Sequence, residues 1–123
     1  MRGHAIRYDP SLPRGFAKSE LRRARSRFNM TGKVDIHHII PREFKSHVVI
    51  KRESYHIEDP YNLIFLPTVE NDDIQTHRPL HRQRHGMYNE FVRRELDRCT
   101  THSSFIVLLL LLHRICRGQA RVF

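Results

Sequence analysis

Cysteine is scarce: Cys99 and Cys116 are the only two among 123 residues. That is too few, and too widely spaced, for a zinc knuckle or for the disulfide framework of a small secreted domain. Free thiols in a reducing compartment are expected. Membrane-length apolar runs are missing too. The one run that resembles a span, 105–112, holds eight consecutive apolar residues, where a spanning helix needs about 20. It reads as a buried helix or a self-association surface. No apolar stretch follows Met1-Arg2-Gly3-His4, so no secretory signal is expected. The setting expected is intracellular, in the cytoplasm or with nucleoid or nucleus, or else delivery as a toxin. His-Glu-x-x-His does not occur, which removes the metalloprotease class that depends on it. Internal repeats and low-complexity tracts are absent.

Acidic residues are also in the minority, with 13 Asp+Glu against 22 Lys+Arg and a formal net charge of +9. Such a balance favours an anionic partner, nucleic acid above all, over an acidic small molecule. The excess lies in the flanks. Residues 1–33 hold nine basic against two acidic side chains (+7), 98–123 hold four Arg and no acid (+4), and 34–97 hold nine against eleven (−2). A near-neutral centre between basic arms suits a protein that grips phosphates without reading base sequence. Arg22, Arg23, Arg25 and Arg27 fall within six residues with little acid to pair them, and are either a phosphate-binding segment or a solvated basic face.

The length fits one domain, divided into a basic arm and helix (1–33), a core (34–97) and an apolar, basic C-terminal helix and tail (98–123). Pro10, Pro13 and Gly15 make 1–16 irregular. A helix is expected over 17–29, beginning near Lys18 or Ser19 and stopping before Gly32. The β-branched run 34–40 ends at Pro41 and predicts a strand, and 62–66, between Pro60 and Pro67, predicts a second. The polar segment 41–61 between them reads as a connecting loop with one helical turn at 43–47. From 79 to 96 the apolar period is helical, with Tyr88, Val92 and Leu96 on the face of His81 and His85. Gly86 allows a later start, at His85 itself. A last apolar helix is expected over 103–116.

Seven of the ten histidines lie between 37 and 85. His81 and His85, four apart, would be neighbours on a helix and could chelate one metal, or could simply be exposed. His37 and His38 would point to opposite faces of an ideal strand, so they can share a site only where the strand ends or twists. Asn62 opens the second strand opposite them, where its amide could hold the loop or its carbonyl could fix a histidine tautomer. Tyr88 reads as a packing residue that seats the helix on the strands. His47, His56, His102 and His113 read as incidental surface or loop residues, and His4 belongs to the arm.

Three blocks then occur in order: Asp35-Ile36-His37-His38-Ile39-Ile40-Pro41, His56-Ile57-Glu58-Asp59-Pro60-Tyr61-Asn62-Leu63-Ile64-Phe65-Leu66-Pro67, and His81-Arg82-Gln83-Arg84-His85-Gly86-Met87-Tyr88-Asn89 with Val92 and Leu96. Over 35–96 the chain resembles the HNH, or ββα-metal (His-Me finger), nuclease superfamily, most closely its AHH branch. It departs from that branch at Ile36, Gln83 and Gly86, where the pattern has Ala, Gly and Pro.

The resemblance implies an α+β fold built on a ββα-metal core, a short hairpin plus a metal-binding helix, with flanking helices. It implies that His37, His81 and His85 hold one divalent metal, with His77 as an alternative to His81. His38 would be the general base, and Asn62 would complete the catalytic unit by holding the hairpin loop. Three imidazoles suit Zn²⁺, Ni²⁺ or Co²⁺ better than Mg²⁺, although Mn²⁺ or Mg²⁺ can be the working ion. Arg42, Arg82 and Arg84 are candidate phosphate contacts, beside Arg22 and Arg23. The activity implied is an endonuclease acting on DNA, with RNA as the other candidate. A zinc-stabilised, non-catalytic nucleic-acid module is the alternative, and relatives that are toxin tips imply an immunity protein as a further partner.

Overall fold

The computed structural model describes residues 17–68 and 85–120. Helix α1 spans Lys18–Arg27, and its start is capped by the Glu20 carboxylate, which accepts from the Ala17 backbone N–H at 3.1 Å. Leu21 is its one buried residue. The chain leaves α1 through Asn29 at φ +59°, a left-handed conformation that Asn adopts more readily than most side chains. Strand β1, Val34–His38, pairs antiparallel with β2, Leu63–Pro67, with Val34 opposite Pro67 and His38 opposite Leu63. Thr68 closes the outer end, its hydroxyl donating to the Gly32 carbonyl at 2.7 Å.

Both strands depart slightly from expectation. β1 stops at His38 because Ile39 and Ile40 leave the ladder and bury completely, at 1% and 0% exposure. β2 begins after Asn62, which belongs to a 3₁₀ turn, Pro60–Asn62, started by the Asp59 carboxylate accepting from the Tyr61 N–H.

Helix α3 runs His85–Arg98 and α4 runs His102–Cys116. The residues on which the earlier of the two expected starts depends lie outside the described residues. Tyr88, Val92 and Leu96, one turn apart, are buried along α3. Thr101 and Ser104 cap α4 reciprocally, each side chain accepting from the other's backbone N–H at 3.1 Å. The apolar run is thereby explained: Phe105, Leu109 and Leu112 are fully buried and only Val107 of that run is strongly exposed, so 105–112 is the core helix rather than an association surface. No helix among the described residues is long and apolar enough to cross a membrane. Cys99 and Cys116 are free and buried.

The reading of 41–61 as a loop is corrected. It contains a 3₁₀ turn, Arg42–Phe44, and a short helix α2, Val48–Arg52, and it sends Phe44, Val49, Ile50, Tyr55 and Ile57 into the same core as α3 and α4. Five residues are too few for a helical period to show in sequence. His47 is not incidental either: its Nδ1 accepts from the Val49 N–H at 3.0 Å, capping α2, and its Nε2 lies 2.8 Å from Asp97 on α3. Across the same interface Arg52 donates to the carbonyls of Cys99 and Thr101, and His102 bonds Glu53 at 2.6 Å. These contacts clamp α2 to the α3–α4 corner.

His113, expected at the surface, is buried on α4 at 4% exposure, and its Nε2 has no hydrogen-bond partner among the described residues. Burial, helped by the nearby charge of Arg117, pushes its pKa down to about 4. A ring neutral in the fold but protonated when unfolded makes stability fall as pH drops from about 6.5 towards 4, by on the order of 3 kcal/mol. His113→Leu should remove that part of the acid sensitivity and raise stability at neutral pH. Urea titrations of parent and variant between pH 7 and pH 4 check this, and parallel curves would refute it.

Candidate active site

The inner end of the hairpin sets the site, because the alternation of a strand sends consecutive side chains different ways. His37 turns inward, 4% exposed, and packs edge-on against Tyr88 with ring centroids 4.9 Å apart. Tyr88 lies one turn after position 85, so the His37 ring is at the first turn of α3. Tyr88 also donates its hydroxyl to the Ile39 carbonyl in a short bond, and burial holds its pKa well above the ordinary phenol value, so it stays a donor. The tyrosine seats α3 on the hairpin, as expected, and does so next to the histidine.

His38 turns the other way, with a partly exposed ring whose Nε2 is 3.0 Å from Glu58 Oε1. Glu58 in turn is 3.8 Å from Lys18 Nζ and 3.4 Å from Arg42 Nε. Burial works against the Glu58 charge, but the His38 hydrogen bond and the positive charges of His38, Lys18 and Arg42 outweigh it and hold the carboxyl below the usual range. Neither Glu58 nor Lys18 was marked out by the sequence. No spacing rule joins residues 20 and 40 positions apart, and only the fold brings them together.

Asn62 is fully buried, and each polar atom of its side chain is used. Its Nδ2 donates to the carbonyls of Ile40 (3.0 Å) and Ile57 (2.7 Å), and its Oδ1 accepts from the Ile40 N–H (2.7 Å) and the Tyr55 hydroxyl (2.6 Å). Its backbone carbonyl accepts from the Ile39 N–H at 2.7 Å. These contacts tie the loop 40–57 to the start of β2.

The remaining candidates divide by position. Arg42 is exposed and lies beside His38 through Glu58. Arg22 and Arg23 are exposed on α1, whereas Arg25 turns towards the hairpin and reaches the Val34 carbonyl at 3.4 Å. His77, His81, Arg82 and Arg84 lie outside the described residues, as does the side chain of His85, whose backbone opens α3. Among the described residues no group of three or more His, Cys, Asp or Glu side chains could hold a metal ion. The donor chemistry nevertheless fits one: an imidazole, with Nε2 enclosed, sits at the helix turn that His85 begins, and nitrogen donors suit borderline divalent ions.

In comparisons with known proteins, the family described as "AHH: A nuclease family of the HNH/ENDO VII superfamily with conserved AHH" matches residues 19–104. No curated protein and no solved structure matches the chain.

Proposed function

Since the chain belongs to the AHH family of nucleases, within the HNH/ENDO VII superfamily, we propose that it is a metal-dependent endonuclease that hydrolyses phosphodiester bonds in DNA. The observation that carries this reading is the divergence of two adjacent imidazoles at one strand end. His37 is enclosed against the start of α3, and His38 is partly exposed among the ionic side chains of Lys18, Arg42 and Glu58.

In this reading His37, His81 and His85 hold one divalent ion, and His38 is the general base. Bound there, the cation would polarise the phosphoryl group and stabilise charge on the leaving oxygen. His38 removes a proton from water, and the resulting hydroxide oxygen attacks phosphorus as the P–O bond to the leaving group breaks. Lys18 and Arg42 flank His38 on the side of Glu58 and offer cationic contacts to neighbouring phosphates, and Arg22 and Arg23 extend the basic surface along α1. Asn62 keeps the loop closed behind the two histidines.

Supercoiled plasmid is expected to be nicked and linearised by the purified protein, to survive in the presence of a chelator, and to be cut again when divalent ions are restored. Titration with Zn²⁺, Ni²⁺, Co²⁺, Mn²⁺ and Mg²⁺ separates the tightest ion from the most active one. Cleavage unaffected by chelation would overturn the role of the metal. Cleavage of RNA with plasmid left intact would overturn the choice of polymer.

A further inference from the structure

Glu58 Oε1 lies 3.0 Å from His38 Nε2, twenty positions away. Its other oxygen is 3.4 Å from Arg42 Nε, and Lys18 Nζ is 3.8 Å from Oε1. Three cationic or cation-capable groups thus face one carboxylate from three segments, and they keep it ionised. An ionised carboxylate has no hydrogen to give and only accepts. The hydrogen in this contact therefore belongs to His38 Nε2, and in the neutral ring the lone pair is left on Nδ1.

We propose that Glu58 is a positioning residue that fixes His38 in its Nε2–H tautomer, making Nδ1 the nitrogen that takes the proton from water. The inference rests on the reading of His38 as general base, and it identifies which of the ring's two nitrogens does the work. One water O–H bond breaks and one Nδ1–H bond forms, the hydroxide oxygen bonds phosphorus, and the leaving-group P–O bond breaks. The Nε2–H stays in place throughout, directed at a carboxylate that faces the imidazolium as it forms.

A carboxylate next to a phosphate-binding surface also repels the substrate. Glu58 therefore opposes binding while it assists the chemistry, which gives it a kinetic signature that a merely structural residue would lack. Glu58→Ala should lower kcat by roughly 10–100-fold and leave KM unchanged or lower. Glu58→Gln keeps an acceptor oxygen but can also turn its amide N–H towards the ring, so it should fall between parent and Glu58→Ala. The Glu58 side chain is half exposed, so neither change opens the core.

The direct test needs no metal and no substrate. Protein labelled with ¹⁵N-histidine is studied by long-range ¹H–¹⁵N spectroscopy at pH 8.5, with the His38 signals identified by their loss in His38→Ala. The parent should show protonated Nε2 and bare Nδ1, and Glu58→Ala should show a mixture of tautomers. A parent ring protonated at Nδ1, or an Nε2–H tautomer unchanged in Glu58→Ala, would overturn the proposal. So would a Glu58→Ala variant that cuts plasmid at the parental kcat, with the nuclease reading left standing. Absence of cleavage by the parent with every ion tested would sink the nuclease reading instead, while the spectra would still decide whether Glu58 sets the tautomer.

Discussion

Replacing His38 by alanine is expected to slow plasmid cleavage by about 10²–10⁴-fold, the usual contribution of a positioned proton acceptor, while the protein stays folded. The fold should tolerate the change because the ring is at the edge of the core and bonds the half-exposed Glu58, while the His38 backbone stays paired with Leu63 in the ladder. Candidate metal ligands and basic side chains are untouched, so KM should change little and the loss should fall on kcat. His37→Ala is the instructive comparison. That ring is buried against Tyr88, so its removal should lower the melting temperature as well as activity. Single-turnover cleavage followed beside thermal unfolding separates the two. A His38→Ala protein that cuts within about twofold of the parent would remove His38 from the chemistry, since even the weakest general bases contribute more than that.

The largest effect on stability is expected at Asn62. Its amide is the only side chain described as bonding both the N–H and the carbonyl of Ile40, and it also bonds the Ile57 carbonyl and the Tyr55 hydroxyl. Asn62→Ala strands all four groups in a fully buried place, at about 1–3 kcal/mol for each group left without a partner. Water entering the space would recover part, leaving a loss on the order of 4 kcal/mol from a total that for such domains is only about 5–15 kcal/mol. The melting temperature should fall by roughly 10–20 °C. Asn62→Asp should be no better, because an oxygen then faces the Ile40 and Ile57 carbonyls in place of a donor. Cleavage should decline with the fold, since Ile40 is two residues from His38 and the Asn62 contacts fix where β1 ends. Thermal unfolding followed by circular dichroism checks this, and a melting temperature within about 3 °C of the parent, less than one kcal/mol would cause, would contradict it.

Much of the architecture could be read before any coordinates. The two strands follow from β-branched runs bounded by proline, the face of α3 that carries Tyr88, Val92 and Leu96 from periodicity, the last helix from its apolar run and the α+β class from the family resemblance, and the observed elements differ from those readings by one or two residues at most ends. The family could be read as well, because its three blocks are short and local. Failures fell where local pattern carries little information. α2 is too short to display a period. His47 and His113 have ordinary sequence surroundings, yet one caps a helix and the other is sealed in the core.

The sequence by itself determined the two strands and the longer helices, that the chain is basic at both flanks, and that a His-His pair precedes an Asn and a histidine-bearing helix in the order of a nuclease family. Spacing and periodicity are properties of near neighbours, and these features need nothing more. Only the tertiary structure decided that Glu58, Lys18 and Arg42 meet at His38, that Asn62 is committed to the loop, and that His37 packs on the first turn of α3. Those meetings join residues that a chain reversal or a helix–hairpin contact brings close, and the separation along the chain sets no rule for which partners come together.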